Sequence, residues 1–192
     1  LGTVLLPEVS RRLAAEDGSG AQGAVRRAIE IGLLLTLPCA AAFVAVPDVI
    51  MHALFARGAF DREAAEASGL VLSAYAVGLP AFVLIRCATP MFYGRSDTAT
   101  PVQAVLFGVA VNVGVKLAVV GTLGAAGLAL GTWAGAWANL ALLLWLASRR
   151  KYAHVSALAT SVGARIIAAA ALLGVFVAAI DGPIAAAVGQ LP

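Results

Sequence analysis

Residues 101–148, PVQAVLFGVAVNVGVKLAVVGTLGAAGLALGTWAGAWANLALLLWLAS, decide the fold of this chain. They contain one charged side chain, Lys116, in a run otherwise free of Asp, Glu, Lys and Arg. A membrane-spanning helix needs about 20 apolar residues, so this run is too long for one span and suits two. The break is expected at GTLG, residues 121–124, because paired glycines permit a tight reversal.

The composition of the whole chain also indicates a lipid environment. Of its 192 residues, 61% are hydrophobic and 12% are charged, and the mean hydropathy is +0.95. The charged fraction is about half that of a soluble domain, and so much apolar surface cannot be hidden from water in a chain of this length. The formal charge of +3 is explained by membrane topology. No basic stripe interleaved with aromatic residues predicts a nucleic-acid partner.

Further runs without charge predict an all-α, polytopic bundle of transmembrane helices. Spans are expected at about 25–47, 66–93, 101–120, 124–148 and 161–180, after the end of another helix at 1–7. Since LGTVLLP reads as the last turns of a helix already under way, the chain is expected to be a fragment of a longer protein, forming a single membrane domain over 1–192. No segment alternates as a barrel strand must, so strands are not expected.

The basic residues between the spans predict the orientation in the membrane. The segments 7–27, 94–100 and 149–165 carry nine Lys and Arg residues, against two in the intervening segments. Positively charged loops are retained on the cytoplasmic side. Loops 7–27, 94–100 and 149–160 are therefore predicted to be cytoplasmic.

Polar residues inside the central spans are the candidate functional residues. Asn112 and Lys116 are four residues apart and share one helix face, and Thr132 and Asn139 form a second polar stripe. Because an ionised group in the bilayer is costly, these stripes are predicted to face water or protein. For Arg86, lining a cavity and reaching the interface are equal alternatives. Beside the second polar stripe, small residues that favour close helix packing recur at Gly127, Gly131 and Gly135.

Motifs of soluble enzymes and of metal sites are absent from the sequence. It has no Ser–His–Asp set, no HExxH, no phosphate-cradling glycine loop and no pair of carboxylates within a span. Cys39 and Cys87 lack metal-ligand spacing and are expected to be buried thiols. The sequence therefore predicts neither a catalytic site nor a metal site.

Several stretches resemble the MurJ (MviN) family. They are LGTVLLPEVSRR (1–12), LFARGAFD (54–61), YAVGLPAFVLIRCATPMFYGRSDTATPV (75–102) and LGAAGLALGTWAGAWANLALLLWLASRR (123–150). The most specific one is FYGRSDTATP, which is similar to a cytoplasmic signature of that family. The signature positions in this chain are Tyr93, Arg95, Asp97, Thr98, Thr100 and Pro101.

The resemblance implies a lipid II flippase of the bacterial plasma (inner) membrane, a transporter in peptidoglycan and cell-wall biogenesis that supports cell shape. Such a protein moves undecaprenyl-pyrophosphoryl disaccharide-pentapeptide from the inner to the outer leaflet by alternating access. The chain would be part of the C-terminal lobe of a two-lobe transporter. Its partners would be lipid II, membrane lipids and the missing N-terminal lobe.

The resemblance also bears on sodium coupling. Some members are similar to a sodium-coupled design whose oxygen ligands match Asn112, Lys116, the Leu128 carbonyl and Thr132 in this sequence. Lysine stands where those members place an acidic ligand, and an ammonium group has only hydrogen-bond donors. Lys116 is therefore hypothesised to replace the sodium ion as a tethered cation, so that sodium coupling is doubtful and no cofactor is expected.

Two alternatives stand beside a lipid II flippase. One is another exporter of the same superfamily, either a drug–cation antiporter or an O-antigen flippase. The other is a non-transporting membrane scaffold that binds cell-wall enzymes.

Overall fold

The computed structural model describes residues 2–55, 62–150, 152 and 168. Every regular element within these ranges is helical, which confirms the all-α prediction. The expected span at 161–180, apart from residue 168, lies outside the described residues. The helices are α1 (Gly2–Ala14), α2 (Gly18–Ala45), α3 (Pro47–Phe55), α4 (Arg62–Ala76), α5 (Leu79–Ala88), α6 (Pro90–Tyr93) and a helical stretch Ala99–Arg149 with two arms, α7 (Ala99–Val119) and α8 (Gly127–Arg149).

Four helical segments of the described chain are long and apolar enough to cross a membrane. They are Gly18–Ala45, Glu63–Tyr93, Ala99–Val119 and Gly127–Arg149. The sequence patterns placed the corresponding spans at 25–47, 66–93, 101–120 and 124–148. The chain is thus a multi-pass membrane protein.

The first connection is much shorter than the expected loop at 7–27. Helix α1 continues to Ala14, and α2 begins at Gly18 because Asp17 caps it, its Oδ1 accepting from the Gly20 N–H at 2.8 Å. Arg12 joins the two helix ends by pairing with Glu8 at 2.6 Å and with Asp17 at 3.4 Å. The charges at 8–17 therefore lie at or beside helix ends, where capping and ion pairs stabilise them, while Arg26 and Arg27 lie within α2.

Proline divides the span Glu63–Tyr93 into three helices. Helix α4 ends at Ala76, a turn follows at Val77 and Gly78, and Pro80 lies in the first turn of α5. Proline lacks an N–H and clashes with the preceding turn, so a break here is expected. Helix α2, in contrast, continues through Pro38.

The reversal expected at GTLG occurs at Gly124. Its φ of 51° and ψ of −128° interrupt the helical stretch Ala99–Arg149. A side chain disfavours this conformation, whereas glycine adopts it readily. The arms α7 and α8 then run antiparallel, and this hairpin positions the candidate site.

The core lies where the ends of several helices meet, beside the turn that joins α1 to α2. Its largest fully buried side chains include Val9 of α1, Phe92 of α6 and Leu143 of α8. Outside this core, large apolar side chains remain exposed, including Leu117 at 76% and Leu35 at 71%. Such exposure suits a surface in contact with acyl chains.

The two cysteines have different surroundings. Cys87 is buried, and its thiol donates to the Ala28 carbonyl at 3.6 Å. Cys39 is exposed on α2, so the expectation of two buried thiols is wrong for this residue. An apolar neighbourhood along a spanning helix does not distinguish a protein-facing from an exposed position.

Candidate functional site

Helices α7 and α8 pack on each other through glycine. A Cβ atom built on Gly135 would lie 2.6 Å from the Gly108 carbonyl oxygen and 2.7 Å from the Cβ of Asn112. A Cβ built on Gly108 would lie 2.8 Å from the Gly135 carbonyl oxygen and 2.7 Å from the Cβ of Asn139. These distances are below ordinary van der Waals contact, so the close approach of the two backbones depends on glycine at both positions.

The small-residue stripe also meets the first polar stripe. Gly127, Gly131 and Gly135 are all buried. A Cβ built on Gly131 would lie 2.9 Å from the carbonyl oxygen of Asn112 and would overlap the Cγ of Lys116. Asn112 and the aliphatic stem of Lys116 therefore contact α8.

The ammonium group of Lys116 is the least compensated part of this contact. The residue is half-buried, and its ammonium makes no ion pair or hydrogen bond within the described part of the chain. The stem is fixed over Gly131 while the charge stays available. This arrangement places an uncompensated positive charge within the span Ala99–Val119.

Thr132 and Leu128 are joined to each other on α8. The Thr132 hydroxyl donates to the Leu128 carbonyl oxygen at 3.0 Å, one helical turn back. This bond uses the hydroxyl hydrogen and leaves the oxygen lone pairs of Thr132 able to accept. Thr132 follows Gly131 directly, so the two residues lie at the level of the contact with Lys116.

Asn139 lies further along α8 and has a different environment. Its Cβ packs against Gly108, and its Oδ1 is buried without a hydrogen-bond partner among the described residues. The residue lines a cavity of about 170 Å³ together with Thr89, Tyr93 and Pro101. A buried acceptor without a donor costs about 1–3 kcal/mol, so this oxygen is a local cost to the fold.

Arg86 is separate from both polar stripes. It is exposed on α5 and forms no hydrogen bond or ion pair with any described residue. The structure therefore does not bring Arg86 into the α7–α8 contact. The side chain of Arg86 is exposed, and the two alternatives for it stay open.

The signature loop joins the start of α7 to the end of α8 through Asp97. Its Oδ2 accepts from the Thr100 hydroxyl at 2.8 Å and from Arg150 Nη1 at 2.9 Å, and its Oδ1 accepts from the Thr100 N–H at 3.1 Å. Burial raises the pKa of Asp97, but the bonds from Thr100 and the charge of Arg150 outweigh it, and the pKa lies below its usual range. Asp97 thus caps α7 and ties its start to the end of α8.

The other signature residues make contacts of their own. Arg95 Nη1 donates to the Met91 carbonyl at 2.8 Å, and its guanidinium lies 4.8 Å from the centre of the Tyr152 ring. Tyr93 and Pro101 line the cavity that Asn139 also lines. Thr98 occupies the N-cap position of α7 but makes no side-chain capping bond. Asp97 makes that bond instead.

Sequence reasoning missed the role of two tryptophans. The Trp137 indole N–H donates to the Val77 carbonyl at 3.1 Å, at the turn before Pro80. A Cβ built on Gly78 would lie 2.9 Å from the Cβ of Trp133, one turn away on α8. In lipid a backbone carbonyl without a donor is costly, so Trp137 satisfies an acceptor at the break. The signal in the sequence was a helix-breaking proline, Pro80, together with a tryptophan, Trp137, whose indole N–H needs an acceptor within a span.

These features define the chain as an α-helical multi-pass membrane protein with polar and charged groups between its spans. The family model described as "Lipid II flippase MurJ" matches residues 1–189, and the chain belongs to that family.

Curated relatives agree with this assignment. The chain is 34% identical to the "Probable lipid II flippase MurJ" of Rickettsia prowazekii over 178 residues, which cover 93% of this chain and 35% of the relative. It is 38% identical to the protein of the same name from Rhizobium meliloti over 183 residues, covering 94% of this chain and 34% of the relative. The chain thus spans about a third of the length of these relatives.

A solved structure shares the fold. "Lipid II flippase MurJ, inward closed conformation" superposes with a TM-score of 0.73 at 18% sequence identity, over 96% of this chain and 42% of the other. At that identity the likeness is one of architecture. It shows that the helical arrangement described above occurs within a larger membrane protein.

Proposed function

We propose that this chain is part of a lipid II flippase, which moves lipid II from the inner to the outer leaflet of the bacterial plasma membrane by alternating access. The observation that carries this proposal is the family match over residues 1–189. Polar groups between α7 and α8 support a carrier over a scaffold, since a scaffold has no need of a charge between its spans. Rival exporters of the same superfamily are disfavoured because the match is to this family.

The proposed orientation places the turn between α1 and α2, the signature loop and the end of α8 in the cytoplasm. The nine Lys and Arg residues of the segments 7–27, 94–100 and 149–165 support it, since positively charged segments are retained on the cytoplasmic side. Contacts among these three segments support their location on the same side of the membrane. A Cβ built on Gly94 would lie 3.0 Å from the Leu13 Cδ1 near the end of α1, and Arg150 at the end of α8 pairs with Asp97.

Complementation tests the proposed function. The full-length gene that contains this chain is expressed in a bacterial strain whose own lipid II flippase is depleted. Restored growth and normal cell shape are expected from a flippase. Lysis at the rate of the empty-vector strain, with the protein present in the membrane, would contradict the proposal.

We further propose that Lys116 supplies the positive charge that a sodium ion supplies in relatives with an acidic ligand at this position. Its stem lies against Gly131, and Thr132, the next residue on α8, has its hydroxyl oxygen 3.0 Å from the Leu128 carbonyl oxygen. The ammonium has no partner among the described residues. An ammonium in this place can donate to such oxygens and needs no bound metal ion.

Ion replacement in the full-length protein tests this role of Lys116. Lipid II translocation by the wild type is expected to be equal in sodium and in choline medium, and Lys116→Met is expected to lose most of it. Leu117→Met, at an exposed neighbouring position, is the matched control and should be active. Lys116→Asp should transport only when sodium is present. Sodium-dependent transport by the wild type, or full activity of Lys116→Met, would contradict the proposed role.

A further inference from the structure

A groove lies between α1 and α2, away from the α7–α8 contact. It encloses about 410 Å³ and is lined at one end by apolar side chains of both helices. Of these, Val4 is 77% and Ile31 is 48% exposed, while Leu5 and Ala28 form the buried floor. The apolar end is therefore open at the surface of a membrane span.

The other end of the groove is polar and carries an excess of positive charge. Its ionisable lining residues are Glu8, Arg12 and Arg27. The Glu8 carboxylate is compensated by Arg12 and by Arg11, each at 2.6 Å. Arg27 is exposed and has no ion pair or hydrogen bond within residues 2–55, 62–150, 152 and 168. The groove thus combines a compensated acid with one free guanidinium.

The direction from the charged to the apolar end follows the membrane normal. Helix α2 begins at Gly18, and Ile31 lies one turn, or about 6 Å, deeper along the helix than Arg27. A guanidinium binds phosphate oxygens through paired N–H donors. A ligand that fits both ends needs an anionic phosphate head group and an acyl chain that points into the bilayer.

We propose that this groove binds an anionic glycerophospholipid of the phosphatidylglycerol type. Its phosphate contacts Arg27, and one acyl chain lies along Val4, Leu5 and Ile31. Charge complementarity selects this occupant, because an uncharged helix of another protein would leave the guanidinium without a partner. A free phosphate ion would leave the apolar end uncovered.

The chain offers matched pairs of variants for a test. Arg27→Gln removes the free charge, and Arg26→Gln is its control, since Arg26 is also exposed but pairs with Glu30 at 2.8 Å and does not line the groove. Gly23→Leu fills the groove, because a Cβ at Gly23 meets no atom within 4 Å. Gly18→Leu is the control for it, being equally unobstructed but outside the groove.

The measurement is lipid retention by the full-length protein in native mass spectrometry, titrated separately with phosphatidylglycerol and with phosphatidylcholine. We expect one tightly retained phosphatidylglycerol and no equivalent phosphatidylcholine. Arg27→Gln should weaken retention about fivefold, the factor that corresponds to one basic residue at an anionic lipid surface. Gly23→Leu should weaken it at least as much, and both controls should match the wild type. Thermal unfolding in detergent verifies that all variants are folded.

Four results would overturn the proposed lipid site. Equal retention of the two lipids would remove the need for an anionic head group. Equal behaviour of Arg27→Gln and Arg26→Gln would show a general effect of surface charge. A loss in Arg27→Gln without any loss in Gly23→Leu would show that the head group is bound outside the groove. Displacement of the lipid by inorganic phosphate alone would show that the apolar end of the groove does not contribute to binding.

Discussion

At the residue scale, glycines that all lie within apolar spans differ in what surrounds them. Gly135 faces the backbone of α7, whereas Gly114 on α7 has no atom within 4 Å of a built Cβ. The four-residue spacing of Gly127, Gly131 and Gly135 predicted a face that packs on another helix. In the structure, Gly131 and Gly135 contact α7. The sequence alone did not reveal Gly108 as the opposing glycine, because its contact with Gly135 depends on the register of the hairpin.

Replacing Gly135 tests this contact. We expect Gly135→Ala to destabilise the full-length protein by about 1–3 kcal/mol, the usual cost of overpacking, and to lower transport. Gly114→Ala is the matched control and should be neutral or slightly stabilising, since alanine favours a helix by up to about 1 kcal/mol. Thermal unfolding in detergent measures both. Equal melting temperatures for the two variants would contradict the close contact.

The hydrogen bond from Trp137 gives a second prediction at this scale. Trp137→Phe keeps an aromatic ring but leaves the Val77 carbonyl without its donor, which should cost about 1–3 kcal/mol. Trp145→Phe is the control, because that ring is 50% exposed and stacks under Arg149, a contact that phenylalanine can retain. If thermal unfolding shows no greater loss for Trp137→Phe than for Trp145→Phe, the bond contributes nothing to the fold.

At the scale of helices and connections, sequence patterns located the spans better than their ends. Charge-free runs depend on many residues, so they located the spans, and the paired glycines then indicated the reversal in GTLG. Helix ends depend on single capping contacts, such as Asp17 with the Gly20 N–H. The expected loop at 7–27 was therefore too long, because a run of charges does not distinguish a loop from two capped helix ends.

The backbone at Gly124 makes the reversal sensitive to substitution. With φ at 51° and ψ at −128°, Gly124→Ala should cost about 1–3 kcal/mol, as for other non-glycine residues in such regions. Gly121→Ala is the matched control, since a Cβ there meets no atom within 4 Å and its φ is not positive. Comparison of their melting temperatures in detergent checks this, and an equal effect would place the strain elsewhere.

Asp97 makes the signature loop dependent on pH. Its pKa is lowered in the folded protein, so its ionised form stabilises the fold. That stabilisation is present above the unfolded pKa of about 3.9 and is lost as the pH falls through the lower, folded pKa. We expect Asp97→Asn to lower the melting temperature at neutral pH, with a difference from the wild type that shrinks below about pH 4. A difference that is constant from pH 7 to pH 3 would contradict this.

At the scale of the whole molecule, the site could be predicted only in part. The polar stripes were visible from spacing, and the family resemblance supplied a role for them. Their contacts were not visible, because the stem of Lys116 over Gly131 and the buried Oδ1 of Asn139 depend on the antiparallel register. Arg86 illustrates the limit. A basic residue within a span has the same pattern whether it faces a cavity or the outer surface.

The proposed transporter requires water to reach the polar face of α7. Thiol labelling of the full-length protein in cells tests this most directly, in a background without Cys39 and Cys87. Asn112→Cys and Lys116→Cys should react with a membrane-impermeant maleimide, while Leu117→Cys, at an exposed position, should be protected by lipid. Protection of both polar positions in folded protein, with or without reaction at position 117, would contradict a water-filled passage along α7.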